Sequence, residues 1–188
     1  MKKYIILSML GLTVLSAPVY ANESEVIDKA MRDVLVHKKD SIELLSPYQI
    51  KVYAYKIGAP VNLGETLRAI TFLESRCGAA GRIGDNGVAR GITQIQIPTA
   101  KFIFSKLMGF ERKFSNKEIK MLITKNDKLN IIMSKNYLVY LMKMFKNKWS
   151  HGLLSYNIGP GNTLKHGTTF DPNNYLAKAT HFINKSRL

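Results

Sequence analysis

The chain has 188 residues, 46% hydrophobic and 22% charged, a balance that excludes a disordered or fibrous chain and suits one domain with a sizeable core. It carries 28 basic and 13 acidic residues, a formal charge of +15, so its field draws it towards polyanions. A single cysteine, Cys77, excludes an internal disulfide.

The amino-terminal residues read as a targeting signal. Lys2 and Lys3 precede a nearly continuous apolar run from Tyr4 to Leu15, and Val19 and Ala21 fit a small-residue cleavage rule. Cleavage is expected between Ala21 and Asn22. The apolar run falls short of the about 20 residues a bilayer span needs, so no stable membrane anchor is expected after cleavage. The protein is therefore expected in the periplasm or outside the cell, where cell wall and lipid surfaces are the available polyanions. No zinc-type Cys/His spacing and no interleaved basic-aromatic strand is present, which argues against nucleic acid as the partner.

Helical periodicity dominates the rest of the chain. Val26, Ile27, Ala30, Val34 and Leu35 share one face of a helix predicted over Ser24 to Val36. Pro47 to Ile57 reads as a second helix, with Pro at its start and Gly58 beyond its end. Residues 22–62 are thus expected to form a helical extension packing on a domain that runs from 63 to 188. In Leu63 to Arg76, Leu67, Ile70, Leu73 and Cys77 share a face, and Gly78 offers a stop.

A glycine-containing loop is expected from Gly78 to Gly91, then irregular chain entering a helix after Pro98. Ser115 is placed to cap a short helix over Asn116 to Ile123. Asp127 to Lys146 is a long helix. His151 to Tyr156 is another, broken by Gly159-Pro160-Gly161, and Asn174 to Ser186 is the last. The fold class is mostly α, a single helical domain.

Four patches carry the chemistry: Phe72-Leu73-Glu74-Ser75-Arg76, Gly91-Ile92-Thr93-Gln94-Ile95-Gln96-Ile97-Pro98-Thr99-Ala100, Ser155-Tyr156-Asn157-Ile158-Gly159-Pro160-Gly161-Asn162, and Asn174-Tyr175-Leu176-Ala177. Glu74 follows two large apolar residues at the end of an apolar-faced helix. A carboxyl group there is partly desolvated, which raises its pKa and suits it to general acid work. The competing reading is a solvated helix-end glutamate paired with Arg76. Glycoside cleavage usually takes two carboxylates. The best second candidate, Asp85, sits in Asp85-Asn86-Gly87, which reads more simply as a turn. Cys77 lacks an evident base nearby in the sequence, and burial is its expected state.

The ordered set of motifs, from about Leu63 to about Thr180, resembles the SLT-type lytic transglycosylases, which share a lysozyme-like (goose-type) fold. The resemblance implies a one-carboxylate mechanism. Glu74 would protonate the bond between N-acetylmuramic acid and N-acetylglucosamine, and the substrate's own N-acetyl group would stabilise the anomeric centre. Glu74 would then take the proton of the 6-hydroxyl, leaving a 1,6-anhydro sugar. Gln94 matches the motif glutamine, with Gln96 beside it. Ser75, Tyr156 and Asn157 match the motif positions expected at the glycan, and Tyr175 matches the late tyrosine beside the acid. The glycine-rich loop after Glu74 departs from the family pattern, and Gly91-Ile92-Thr93-Gln94 stands where a Gly-Leu-Met-Gln is usual.

Peptidoglycan glycan strands are the implied partner. No metal, nucleotide or organic cofactor is implied. The same residues also fit a hydrolytic muramidase, and a wall-binding assembly factor that has lost activity is the reading from another class. The sequence is compatible both with service to a secretion, pilus or conjugation apparatus and with service to general wall turnover.

Overall fold

The computed structural model describes residues 17–35 and 43–186. The apolar run of the expected signal lies outside them. Helix α1 (Ala17–Leu35) covers the helix expected from Ser24 and begins earlier, so its first turns cross the expected cleavage site. Helix α2 (Pro47–Gly58) starts where Pro47 predicts, and the strand alternative for this segment is not realised. Ser46 accepts the Gln49 N–H while Gln49 answers the Ser46 N–H, closing a capping box. Helix α3 (Gly64–Ser75) follows a 3-10 turn.

The expected loop after α3, with the irregular chain that follows it, contains a small antiparallel sheet. Strands β1 (Ile83–Gly84), β2 (Ala89–Arg90) and β3 (Ile95–Gln96) pair in that order, with the Asp85–Gly87 turn joining the first two. Each strand has two residues, too short for an alternating pattern to show. Helix α4 (Ile97–Phe102) begins one residue before Pro98, which sits in the first turn, where its missing N–H has no helical partner to lose. It continues into a π turn over Ile103–Leu107.

Helix α5 (Asn116–Lys125) is capped by Ser115, with Glu118 completing the box. Helix α6 (Asp127–Met144) is the long one expected. Helix α7 (Trp149–Ile158) ends at Gly159, as expected, but the chain does not stay irregular. Pro160 starts a further helix, α8 (Pro160–His166), again as a first-turn proline. Helix α9 (Tyr175–Lys185) closes the described chain.

Helix α6 is the axis of the assembly. Leu129, Ile131, Ile132, Met133, Leu138, Leu141 and Met142 are buried on several of its sides, as a helix surrounded by others requires. Helices α1, α2, α3, α5 and α7 pack around it. The extension is part of the same core: Val26 of α1 and Ile50, Ala54 and Ile57 of α2 meet Leu67, Ile92, Ile131 and Ile132. Each such valine, leucine or isoleucine side chain contributes about 1.5–3 kcal/mol by leaving water. Glu23 of α1 and Lys135 of α6 form an ion pair of 2.6 Å in which both residues are buried.

Helix α6 also carries a buried polar stripe. Asp127, Asn130 and Ser134 recur at helical spacing and are fully buried. Asp127 receives Arg82 Nε at 2.8 Å and Nη2 at 2.7 Å, and its second oxygen also takes the Leu45 N–H at 2.8 Å. Hydrogen bonding to Asp127 pushes the Arg82 guanidinium above its ordinary value. A buried charge needs such a fork to offset its desolvation. This pair pins the loop after α3 to the first turn of α6.

Candidate active site

Glu74 lies in the last turn of α3, half-buried. The helix ends abruptly because Arg76 and Cys77 both take left-handed conformations, at φ of 50° and 55°. Their N–H groups turn back to the carbonyls of Phe72 at 2.8 Å and Thr71 at 2.9 Å. Cys77 is thereby folded into the core as expected, with its thiol 3.8 Å from Thr71 Oγ1. Burial pushes that thiol up, the reverse of what a nucleophile requires.

Ser75 corrects the reading from the motif. It is 1% exposed, donates its hydroxyl to the Ile92 carbonyl at 2.7 Å and accepts the Gly78 N–H at 2.8 Å. Its hydroxyl therefore serves the backbone and is not presented to a glycan. Its effect is to hold the segment that carries Gln94 against the end of α3.

That segment is anchored again from α6. Asn130 Oδ1 accepts both the N–H of Thr93, at 2.9 Å, and its hydroxyl, at 2.7 Å. Gly91 is required here. It sits at φ 77°, and a side chain would meet Asn130 Nδ2 at 2.2 Å and the Ile123 carbonyl at 2.4 Å. Gln94 itself is left-handed, at φ 51°, and its Nε2 donates to the Gly91 carbonyl at 2.7 Å. Strained backbone held by its surroundings is common at functional sites. Gln94 Oε1 lies against Gly84, where a side chain would come within 2.0 Å, so the β1 glycine leaves room for the amide.

Tyr156, from α7, reaches the same segment. Its hydroxyl donates to the Thr93 carbonyl at 3.0 Å and lies 3.0 Å from Ser134 Oγ. The hydroxyl is therefore turned inward, contrary to its expected contact with the glycan. The residue still borders the cleft, and its ring stands 5.8 Å from that of Tyr137. Burial is the main reason the Tyr156 phenol is pushed up, so it keeps its proton as a donor.

Tyr175 opens α9 and is 5% exposed. Its hydroxyl donates to Glu74 Oε1 at 2.7 Å. Burial first, then the charge of Glu74, hold this phenol well above its ordinary value. Two contacts place it. The Phe72 and Phe182 rings stack at 4.7 Å, docking α9 on α3. The Asp171 carboxylate takes the N–H groups of Tyr175, at 2.7 Å, and Leu176, at 2.9 Å, capping the helix that presents the tyrosine.

These elements enclose a cleft of about 210 Å³. Glu74, Gln94, Gln96, Tyr156 and Asn157 all line it, together with Thr99, which belongs to the second patch without an expected role, and Tyr137, for which no site role was expected. Asn157 Oδ1 is buried there without a hydrogen-bond partner among the described residues. Glu74 is the only carboxylate residue lining the cleft among the described residues. No group of side chains arranged for a metal ion occurs among the described residues. Asp171, Asn130 and Ser134 were also not anticipated. The one available signal was Asp171-Pro172 shortly before the predicted final helix, a turn-initiating pair.

The family model of the transglycosylase SLT domain matches residues 59–175. The chain belongs to this family. Membership and the helical architecture together make it a mostly α, lysozyme-like SLT domain, with a lytic-transglycosylase-type function on peptidoglycan. The SLT match leaves α1 and α2 outside its span, although both contribute to the core around α6. No curated protein and no solved structure matches the chain.

Proposed function

We propose that the protein is an exported lytic transglycosylase that cuts between N-acetylmuramic acid and N-acetylglucosamine and leaves a 1,6-anhydro end, with Glu74 as acid and then base. The observation that carries this is the 2.7 Å bond from the Tyr175 hydroxyl to Glu74 Oε1, in a cleft with no second carboxylate residue among its described lining. In this reading Glu74 delivers the acid proton while its Oε1 accepts from the Tyr175 hydroxyl. Once that proton passes to the glycosidic oxygen, the tyrosine donor stabilises the carboxylate formed, which then takes the 6-hydroxyl proton. Without a second carboxylate to act as nucleophile or to activate water, the substrate's acetamido group stabilises the anomeric centre. In this reading Asn157 and Gln94, which line the cleft, orient that amide.

Export by the leader, with cleavage after Ala21, belongs to the same proposal, as does service to a wall-spanning secretion, pilus or conjugation apparatus. Cleavage there shortens α1 but leaves Glu23, and with it the pair to Lys135. Mass spectrometry of sacculus digests tests the chemistry. Anhydro ends from the wild type and none from Glu74→Gln are expected. Free reducing ends would make the protein a hydrolytic muramidase, and equal digestion by both proteins would remove Glu74 from the mechanism. Amino-terminal sequencing of the mature protein, expected to begin at Asn22, tests the export.

A further inference from the structure

A hollow of about 580 Å³, larger than the cleft, opens at the amino-terminal end of α3, beside the end of α2 and one side of α9. Glu65, which lines it, and Glu74 are nine residues apart on one helix, so about 14 Å of helix axis separates the two places. Two aromatic side chains, Tyr55 and Trp149, and two amides, Asn62 and Asn184, face the hollow. The Trp149 indole N–H donates to Thr66 Oγ1 at 2.9 Å, which fixes the ring in place.

The charge of this hollow is unlike that of the whole chain. Despite the 28 basic residues, no lysine or arginine is among the described residues that line it. Its one charged residue, Glu65, is paired with Arg68 at 3.2 Å and accepts the Ser186 hydroxyl at 3.1 Å. Phosphates, anionic lipids and carboxylate-bearing peptides therefore find no unpaired cation among the described residues lining this hollow. A neutral ligand with hydroxyl and amide groups and an apolar face fits, which is the chemistry of an N-acetylated sugar. Trp149 and Asn62 also border an adjoining, mainly apolar hollow of about 510 Å³ beside Val61, Val139 and Met142, where Lys143 is the one charged residue of the described lining. The groove thus continues past the indole, with room for more than one sugar.

We propose that the groove around Trp149 is a second saccharide site, which holds an uncut N-acetylated glycan segment while another lies under Glu74. The proposal rests on the reading of the chain as a glycan-cutting enzyme, and its test is separable from that reading. Trp149 is the only tryptophan, so its emission reports on this groove. The full chain carrying Glu74→Gln is titrated with soluble oligomers of N-acetylglucosamine. A saturable change in emission is expected. Thr180→Arg and Asn184→Ala, at exposed positions on α9 that line the hollow, should each weaken it by roughly tenfold. Asn157→Ala, in the cleft, should leave the titration unchanged. The proposal is overturned by an absence of saturable change, or by a change that Asn157→Ala abolishes and the groove variants do not. The catalytic reading stands or falls on the sacculus digests whatever Trp149 reports.

Discussion

The two ends of α3 are built differently. At the carboxyl end the chain is held by buried and half-buried polar bonds: Ser75 to Ile92 and Gly78, Asn130 to Thr93, Tyr156 to Thr93, Tyr175 to Glu74. At the amino end, Leu63 supplies no side-chain cap, and the helix borders a broad hollow rimmed by half-exposed Tyr55. Proton transfer needs a carboxyl group held within a few tenths of an ångström of its target, and only directional bonds between fixed partners supply that. Holding a sugar needs an aromatic face and a few amides, which tolerate a looser wall. One helix thus joins an end whose carboxyl group is fixed by directional bonds and an end that borders an open hollow.

The contrast breaks most visibly at Glu74 itself. Glu74→Gln keeps the shape and removes the transferable proton, so sacculus solubilisation should fall about a thousandfold while the thermal midpoint stays close to wild type. A large drop in that midpoint would mean the carboxylate is needed for the fold and not only for the cut. Next is Arg82→Ala, which leaves Asp127 charged and 0% exposed without its fork. Urea unfolding should show a loss of about 3–5 kcal/mol. A loss below about 1 kcal/mol would mean the Arg82–Asp127 pair does not fasten the loop after α3, leaving the Asn130–Thr93 bonds as its tie to α6.

Much of the scaffold is legible in the sequence because local signals agree with the packing. Pro47 and Ser115 mark starts that the structure keeps, and the apolar residues of the helix expected from Asp127 to Lys146 announce the central helix. Pro160 is read as a break because proline ends helices from within, yet in the first turn it begins one. The three strands are invisible because two residues make no period. In the site, Glu74, Gln94, Gln96, Tyr156, Asn157 and Tyr175 are legible through ordered motifs. The positions of the Ser75 and Tyr156 hydroxyls are not, because their partners stand 17 and 63 residues away. Asn130 and Ser134 are hidden for the same reason: nothing in a helical pattern tells a buried polar stripe from a solvated one until the facing chain is in place.

Ser75→Ala separates the positioning role from the motif role. It orphans the Ile92 carbonyl and the Gly78 N–H, at a cost of about 1–3 kcal/mol. Its kinetic mark should be a lower kcat with little change in KM, since the hydroxyl meets backbone and not glycan. A change confined to KM would return Ser75 to the substrate.

The smallest effect probes the Tyr175–Glu74 bond at high pH. Tyr175 has its pKa raised in the folded protein, so its contribution to stability is full below the ordinary tyrosine value of 10.0. It is lost as the pH climbs from there through the folded value. Burial is the first cause of the shift and survives Glu74→Gln, whereas the charge and the charged acceptor do not. The variant's phenol should therefore titrate at lower pH than the wild type's, still above the ordinary value. The alkaline loss of stability should be correspondingly smaller. Tyrosinate absorbance, with Tyr175→Phe in each background subtracted to isolate the one ring, reads the first. Urea midpoints across the same pH range read the second. Identical titrations in both backgrounds would mean the 2.7 Å contact does not persist in solution, and the carboxyl end of α3 would then lack the donor that steadies its carboxylate.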